Sequence, residues 1–367
     1  MNGIFIIFLI LIFFSLLEST NLNVTVKRLM WLCSSVLVFF ILGLGYKVGV
    51  DWVSYKDNYY YNNNLEGFEP LYTLLSATFS ALNINFWFFV MTIKCFNTIL
   101  LLSIFNRHAK LPILTVTIFF ALTYPYINDV LRQIVATIIL YSSFLFTKKM
   151  PGIFPIVLSS GFHTSSLVLL ISKLNFFQLK SKRFTITLLL ISLVLGFSLA
   201  GLLTSGILSS FSFMAIGKLQ MYSEDSNIAN IYSSVVRLSL YALALSFQMR
   251  VTNSQSRVND WIYRATLLML VIEILTISVP IISQRVRLYL LPFVCIALTN
   301  GLSTLPKRSR LALMGYVLSY CVLFLYLFTH GVFGEFYRLD MNIIVQFLQG
   351  FPPNNWESEA YNFWRYR

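Results

Sequence analysis

Ten long apolar runs divide this sequence, and they restrict its fold more than any other feature. A helix needs about 20 apolar residues to cross a hydrocarbon core about 30 Å thick, so such runs predict membrane-spanning helices. The composition agrees, because only 11% of the residues are charged, against about 25% in soluble domains. A water-soluble enzyme is excluded, and an all-α polytopic integral membrane protein is predicted. The predicted spans are 2–17, 29–44, 84–105, 111–127, 132–147, 184–204, 231–247, 261–280, 286–302 and 311–329.

Two further apolar segments are ambiguous, and the total is therefore predicted as about 10–12 transmembrane helices. Residues 71–82 form a run that is short for a crossing and is predicted to lie as an interfacial helix. Residues 151–174 form either one crossing or a re-entrant hairpin of two half-helices that breaks near Gly161 and Phe162. The first run lacks the basic start and the small-residue cleavage site of a signal peptide, so we interpret it as a retained span.

The charges in the connections separate by sign, which predicts the orientation of the chain. Fifteen of the 27 basic residues lie in one set of connections, which the positive-inside rule places in the cytoplasm. Eleven of the 14 acidic residues lie in the other set, which is predicted to be outside. This pattern requires both termini outside and an even number of passes for 151–174. Because the location of each charge matters more than the net charge of +13, no nucleic-acid partner is predicted.

No internal repeat or flexible linker divides the chain, so we predict a single transmembrane domain over 1–367. Its larger soluble parts are three outer segments rich in Tyr and Trp, at 46–70, 205–230 and 331–367. Aromatic faces cover the apolar sides of sugar rings, so such surfaces are typical of proteins that handle sugars. An aromatic belt at the membrane interface has the same composition. The sequence leaves both interpretations open.

Three arginines at or within predicted spans are candidates for binding an anionic ligand. Arg132 opens a span in YINDVLRQIVA, Arg237 lies inside another, and Arg285 lies in SQRVRLYLLPF. A guanidinium group matches phosphate oxygens bidentately and stays charged when partly dehydrated. We predict that these arginines converge on a lipid diphosphate, with Gln133 and Tyr289 beside them contacting the substrate. The alternative for each arginine is snorkelling to lipid headgroups.

His163, in the stretch SSGFHTSSLVLL, lies in the segment that is predicted to break. An imidazole there could act as a base or hydrogen-bond a phosphate or sugar hydroxyl. The alternative is a hydrogen bond that packs two helices. Lys94 and Glu273 lie nearest the middle of their spans, and we interpret them as structural residues that pair with each other or with Arg237.

The outer stretch GVDWVSYKDNYYYNNNLEGFEPLY carries the other catalytic candidates. Asp51, Tyr55 and Tyr59 are spaced by four, so a helix would place them on one face. Glu69 precedes Pro70 at the start of the interfacial segment. A carboxylate beside aromatic rings could bind sugar hydroxyls or serve as a general base. Asp51 and Glu69 could equally cap helices or bind loop amides.

Motifs of other catalytic classes and of metal sites are missing from the sequence. The four cysteines lie in apolar stretches without a CxxC pair, and the three histidines are scattered. We therefore predict no metal and no cofactor. Walker, GxGxxG, GxSxG and HExxH patterns are absent, which argues against nucleotide-driven transport and serine hydrolysis.

The chain resembles the EpsG-like branch of the Wzy-type O-antigen and exopolysaccharide polymerases over roughly residues 49–293. The resemblance is carried by five stretches in order, GVDWVSYKDNYYY, FEPLY, NDVLRQIVATIILYSS, GFHTSSLVLL and QRVRLYLLPF. It implies a glycosyltransferase-C-like helical architecture that uses neither a nucleotide sugar nor a metal.

The same resemblance implies a glycosyltransferase in a bacterial inner (cytoplasmic) membrane, with its active site facing the periplasm. It would polymerise undecaprenyl diphosphate-linked oligosaccharide repeat units into O-antigen, capsule or exopolysaccharide and release undecaprenyl diphosphate. Membrane lipids and a chain-length regulator are the other expected partners. The residues assigned to these roles are Arg132, Arg285 and Arg237 for the diphosphate, His163, Asp51 and Glu69 for catalysis, and Tyr55, Tyr59, Gln133 and Tyr289 for the rest of the substrate.

Three other functions fit some of the same features. A lipid-linked oligosaccharide flippase would also need arginines for the diphosphate, although its cations should line a cavity through the whole membrane. A membrane sugar acyltransferase could use His163 to activate a hydroxyl, but its acyl donor comes from the cytoplasm. An O-antigen ligase differs from a polymerase only in its acceptor, and composition does not exclude it.

Overall fold

The chain is described here from a computed structural model, over residues 3–61, 68–147, 151–174, 181–204, 228–251, 257–277, 279–330, 334–339 and 342–350. Every regular element in these ranges is helical, which confirms the predicted all-α class. The α-helices are α1 (Gly3–Glu18), α2 (Val24–Leu42), α3 (Trp52–Tyr61), α4 (Pro70–Ala81), α5 (Phe86–His108), α6 (Pro112–Ile127), α7 (Leu131–Thr147), α8 (Ile153–Ser160), α9 (Lys182–Thr204), α10 (Ile228–Val251), α11 (Arg257–Leu275), α12 (Pro280–Ser303), α13 (Lys307–Thr329) and α14 (Ile343–Leu348). Two 3₁₀ helices cover Thr164–Lys173 and Gly334–Tyr337.

Four of the described helices are long and apolar enough to cross a membrane, and they are Val24–Leu42, Phe86–His108, Ile282–Ser303 and Lys307–Thr329. Shorter apolar helices, among them α1 and α7, accompany them. The protein is therefore a multi-pass membrane protein. The predicted orientation, the count of 10–12 crossings and the glycosyltransferase-C-like arrangement stay predictions.

The chain forms two compact units, and the first contains the residues up to Ser166 together with those from Leu302 onward. Within it α5 packs against α7, α1 against α6, and α7 against α8. Glu18 at the end of α1 accepts hydrogen bonds from the main-chain N–H groups of Ile113 and Leu114, at 3.0 and 2.9 Å. These amides belong to the first turn of α6 and have no partner within their own helix, so Glu18 caps α6 in trans.

The two ambiguous segments of the sequence both lie, at least in part, in the first unit. Helix α4 has 12 residues and is about 18 Å long, which is too short to cross the membrane and agrees with an interfacial position. The segment 151–174 breaks where the sequence allowed it: α8 ends at Ser160, and a 3₁₀ helix begins at Thr164. The intervening turn contacts α4, because the Leu71 amide donates to the Gly161 carbonyl at 3.0 Å.

Asp129, in the turn between α6 and α7, fixes the start of α3. Its Oδ1 accepts hydrogen bonds from the amides of Val50 and Asp51 at 2.7 and 3.0 Å, and its Oδ2 accepts one from the Tyr337 hydroxyl. Gly49 precedes these amides with φ of +82°, and a Cβ there would lie 1.9 Å from Asp129 Oδ1. Only glycine allows both this backbone conformation and this close approach.

The second unit, Leu167–Gly301, contains α9, α10, α11 and most of α12. Helix α11 packs against α9 and α10, and Trp261 contacts Phe293 of α12 edge to face, with ring centroids 5.3 Å apart. Close approach of α9 to α11 depends on Gly196, where a Cβ would lie 2.6 Å from the Ile274 carbonyl oxygen. The predicted single domain over 1–367 stays a prediction, and the outer segments 205–230 and 331–367 lie largely outside the described residues.

Candidate functional site

Glu69 is the centre of a polar cluster in the first unit. Its Oε2 lies 2.6 Å from Arg132 Nη1, and its Oε1 lies 3.0 Å from His163 Nδ1. The amide and the hydroxyl of Thr164 also donate to Oε1, each at 3.2 Å. The cluster therefore joins one carboxylate, one guanidinium and one imidazole from three distant parts of the chain.

Three local features of the fold position these groups. Glu69 precedes Pro70, whose fixed φ suits the first turn of α4. Arg132 lies in the first turn of α7, directly after the Asp129 turn. His163 ends the turn between α8 and the 3₁₀ helix, which the Leu71 to Gly161 hydrogen bond holds against α4.

The alternative role predicted for Glu69 is that it caps a helix or binds a loop amide, and the structure shows a hydrogen bond to one such amide. The Glu69 side chain makes no capping hydrogen bond to its own helix α4. It binds instead the amide of Thr164, at the start of the neighbouring 3₁₀ helix. The same carboxylate thus has a structural contact and two ionisable partners.

Aromatic rings surround the guanidinium of Arg132. Its Cζ lies 4.7 Å from the centroid of the Phe68 ring and 5.9 Å from that of Tyr55, and Tyr55 also forms a side-chain hydrogen bond with it. The rings of Phe68, Tyr55 and Tyr72 lie 5.8 Å from one another, so they form one three-ring cluster. Stacking on aromatic faces stabilises a guanidinium and fixes its plane.

The ion pairs determine the protonation state of Glu69. Burial raises the pKa of the carboxyl, but the hydrogen bond from His163 and the charge of Arg132 outweigh burial and lower the pKa to about 2. Glu69 is therefore ionised at any physiological pH. Because an ionised carboxylate only accepts hydrogen bonds, the proton between Glu69 and His163 belongs to Nδ1, and Nε2 is the nitrogen directed away from the carboxylate.

This arrangement can do two kinds of chemistry. The side chains of Arg132, Glu69 and His163 are 21%, 13% and 12% exposed, so the cluster is largely sheltered, and His163 Nε2 itself is buried. A carboxylate on Nδ1 of an imidazole orients the ring and favours proton uptake at Nε2. A guanidinium next to that imidazole can bind an anion and stabilise negative charge on a leaving group.

The other catalytic and substrate candidates in this unit have structural contacts. The Asp51 amide is held by Asp129, and the Asp51 side chain is half-buried. The Tyr59 hydroxyl donates to the Ile84 carbonyl at 2.7 Å, and Gln133 is 1% exposed. Lys94, predicted to pair with Glu273 or Arg237, lies 3.5 Å from the Asn128 side-chain oxygen. Of the residues proposed from the sequence, the described contacts join Glu69, Arg132, His163 and Tyr55.

The remaining candidates lie in the second unit. Arg237 donates from Nε to Glu273 Oε1 at 2.8 Å and from Nη2 to the Ser234 hydroxyl at 2.7 Å. Arg287 Nη2 lies 3.5 Å from the other oxygen of Glu273. The predicted pairing of Glu273 with Arg237 is thus observed, and these contacts favour a structural role for Arg237. Arg285 is half-buried and Tyr289 is 1% exposed, and their roles stay predictions.

Sequence reasoning missed three residues around Glu69 and Arg132. They are Phe68 and Tyr72 of the three-ring cluster and Thr164, which donates to Glu69. All three lie inside stretches that the sequence had singled out, FEPLY and GFHTSSLVLL, but their residue types do not suggest catalysis. In the described part of the chain, no group of three or more His, Cys, Asp or Glu side chains is placed to hold a metal ion.

Comparison with known proteins gives a result at the level of a family. The model of the EpsG family matches residues 28–339, which is most of the chain and includes every residue of the cluster around Glu69. No curated protein and no solved structure gives a significant match.

Proposed function

Because the chain belongs to the EpsG family, a Wzy-type polymerase-like family, we propose that it polymerises undecaprenyl diphosphate-linked oligosaccharide repeat units. The family indicates a polymerase-like role in making exopolysaccharide or O-antigen. The lipid-linked donor, the bacterial inner membrane and a periplasmic active site belong to our proposal. So do independence of metals and cofactors and an interaction with a chain-length regulator.

One observation carries this proposal, namely that Glu69 holds Arg132 and His163 side by side. Transfer of a sugar from a lipid diphosphate needs a cation for the departing diphosphate and a group that accepts the proton of the acceptor hydroxyl. Arg132 and His163 have these two chemistries, and one carboxylate contacts both within 3.0 Å.

In the proposed reaction, the acceptor hydroxyl of the new repeat unit attacks the anomeric carbon of the growing chain. The new C–O bond forms as the bond from that carbon to the diphosphate breaks, with inversion at the carbon. Undecaprenyl diphosphate leaves with the bonding electrons, and Arg132 stabilises the charge that develops on it. His163 Nε2 takes the proton of the hydroxyl.

Glu69 acts in this scheme as a positioning residue. A carboxylate whose pKa is about 2 is a weak base, so it is poorly suited to remove a proton from a sugar. Its two oxygens instead fix the tautomer of His163 and the direction of Arg132. Among the three bases considered from the sequence, we therefore favour His163 over Glu69 and Asp51.

The other candidates complete the proposed substrate site. Arg285 would bind the diphosphate, as predicted from its stretch SQRVRLYLLPF, while Tyr55 would position Arg132 by its ring and hydroxyl. Gln133 and Tyr59 are buried in the first unit, so we propose that they support the site without contacting water, while Tyr289 stays a proposed substrate contact.

The test compares surface polysaccharide from the native host carrying a deletion of this gene and complemented with variants. We expect Arg132→Ala and Arg285→Ala to leave the single-repeat rung and lose the long ladder. The matched control is Arg107→Ala, because Arg107 is an exposed arginine in the last turn of α5. It should restore the full ladder at equal protein abundance.

Other outcomes would point to other functions. Normal chain lengths in both arginine variants would contradict the assigned site. If the deletion also removes the single rung, a flippase or a ligase is the better explanation, because repeat units are then not delivered or not attached. An unchanged ladder in the deletion would indicate modification of the polymer, such as acylation.

A further inference from the structure

Tyr72 has a buried hydroxyl without a hydrogen-bond partner among the described residues. The residue lies in the first turn of α4, three positions after Glu69, and its side chain is fully buried. Buried hydroxyl groups nearly always find a partner, so an exception of this kind calls for a physical reason.

The hydroxyl belongs to the same cluster as Arg132. The Tyr72 ring contacts those of Tyr55 and Phe68, and these two rings flank the guanidinium of Arg132. The charges of Arg132 and Glu69 both act on the pKa of Tyr72, which Arg132 lowers and Glu69 raises. A ligand that reaches Arg132 thus meets the aromatic cluster to which Tyr72 belongs.

Packing alone does not account for a tyrosine at this position. A phenylalanine would make the same ring contacts with Tyr55 and Phe68 and would not bury an unsatisfied polar group. The hydroxyl therefore lowers the stability of the unliganded protein. Groups that lower stability in this way are typical of functional sites, where a ligand later satisfies them.

The chemistry of the hydroxyl is that of a donor. Burial raises the pKa of Tyr72 well above its usual value, which keeps the hydroxyl protonated. A protonated phenol next to a guanidinium can donate to the same anionic oxygen that the guanidinium binds. It cannot serve as a base.

We propose that the Tyr72 hydroxyl donates a hydrogen bond to a diphosphate oxygen of the lipid-linked substrate, beside Arg132. Tyr72 is then a further substrate-binding residue of the polymerase. This inference rests on the proposed function, because it takes the anionic ligand of Arg132 to be a lipid diphosphate.

The experiment compares two variants that each remove one buried tyrosine hydroxyl. Tyr72→Phe removes the hydroxyl without a partner, and Tyr124→Phe removes one that donates to the Tyr337 carbonyl at 3.0 Å. Purified full-length protein in detergent is tested for thermal unfolding. It is also tested for binding of undecaprenyl diphosphate, with undecaprenol as the probe that lacks the headgroup.

We expect opposite results for the two variants. Tyr72→Phe should keep or raise the unfolding temperature and weaken undecaprenyl diphosphate binding about tenfold, the value of one hydrogen bond to a charged group. Its binding of undecaprenol should not change. Tyr124→Phe should lower the unfolding temperature and leave binding of both probes as in the native protein.

Two results would overturn the inference. One is native affinity of Tyr72→Phe for undecaprenyl diphosphate, and the other is a lowered unfolding temperature with a parallel loss of binding of both lipids, which indicates a packing role. The Arg132→Ala protein separates this failure from failure of the proposed function. If it also binds undecaprenyl diphosphate normally, the diphosphate site itself is wrong; if only Tyr72→Phe binds normally, the proposed function stands without Tyr72.

Discussion

The described part of the chain contains two clusters in which a glutamate contacts an arginine, and the two clusters differ in burial and in their other partners. In the first unit, Glu69 and Arg132 lie at helix starts, and their side chains are 13% and 21% exposed. In the second unit, Glu273 lies within α11 and contacts Arg237 of α10 and Arg287 of α12, all at most 4% exposed. The Glu69–Arg132 pair therefore lies at the ends of helices, whereas the contacts of Glu273 lie between the sides of packed helices.

This difference in exposure distinguishes an accessible site around Glu69 from a buried structural cluster around Glu273. Glu273 and its two arginines are at most 4% exposed, so water cannot readily replace a lost partner, and these ion pairs have the burial of a structural contact. Glu69 and Arg132 keep partial access, so a ligand can reach the guanidinium. Glu69 also has His163 as a partner, whereas the partners of Glu273 among the described residues are arginines. Placement therefore indicates function more reliably than residue type does.

The largest effect is expected when Glu273 loses its charge. Glu273→Gln removes the charge of a carboxylate that contacts two buried guanidinium groups, and removing one partner of a buried pair costs about 3–5 kcal/mol. We expect the variant to be present in membranes at strongly reduced abundance and to unfold at a much lower temperature in detergent.

The matched control for Glu273 is the pair Asp260 and Arg264 in the same unit, which lies on one face of α11 with a 2.7 Å contact. Asp260 is 32% exposed, so Asp260→Asn should cost less than about 1 kcal/mol. Equal unfolding temperatures for Glu273→Gln and the native protein would show that the buried cluster around Glu273 does not stabilise the fold.

A smaller effect, dependent on pH, is expected for Glu69. Its pKa in the folded protein is about 2, below the ordinary 4.5, so the ionised form stabilises the fold. This contribution is complete above about pH 4.5 and is lost as the pH falls toward 2. Glu69→Gln should therefore unfold at a lower temperature than the native protein at pH 7, and the difference should shrink below pH 4.5.

The measurement is a series of thermal unfolding curves of both proteins in detergent between pH 7 and the lowest pH at which they stay soluble. Subtracting one protein from the other cancels the titration of groups that are remote from position 69. A difference that is constant from pH 7 to pH 3 would show that the carboxylate is not held by Arg132 and His163.

The helices and their approximate positions could be predicted from hydropathy, but their ends could not. The run 29–44 predicted a span where α2 covers Val24–Leu42, because Asn23 accepts a hydrogen bond from the Thr25 amide and starts the helix early. Lys27 and Arg28 follow in the first turns, and a hydropathy criterion excludes such residues from a span. The break near Gly161 was predictable as one of two alternatives, since glycine and the polar residues after it interrupt the apolar run.

The members of the candidate site were each predictable, but their grouping was not. Arg132 lies 63 positions after Glu69 in the sequence, and His163 lies 94 positions after it. Sequence reasoning grouped Arg132 with Arg237 and Arg285, since all three are cations of predicted spans. The contact of His163 with Glu69 depends on main-chain packing between α4 and the turn after α8, which no residue type encodes.

The smallest effect is expected at Gly161, which sets how closely that turn approaches α4. A Cβ at this position would lie 2.4 Å from Leu71 Cδ1 and 2.6 Å from its Cγ, so Gly161→Ala must displace either Leu71 or the turn. Displacement of the turn moves His163 relative to Glu69. Overpacking of this kind costs at least about 1 kcal/mol, and the same cost in the barrier lowers a rate about fivefold. We expect shorter polymer chains from a protein of nearly normal abundance.

A second substitution decides whether the close contact with Leu71 is the cause. Leu71→Ala removes both clashing atoms, so the double variant Gly161→Ala with Leu71→Ala should recover chain length relative to Gly161→Ala alone. Gly152→Ala is the matched control at the other end of α8, where a Cβ would meet only Pro155 at an ordinary 3.5 Å. Since α4 carries Glu69 and the turn carries His163, recovery in the double variant would show that the spacing between these two elements adjusts the site. Equal chain lengths in Gly161→Ala and Gly152→Ala would instead show that the activity of the Glu69 cluster does not depend on the exact position of the turn that carries His163.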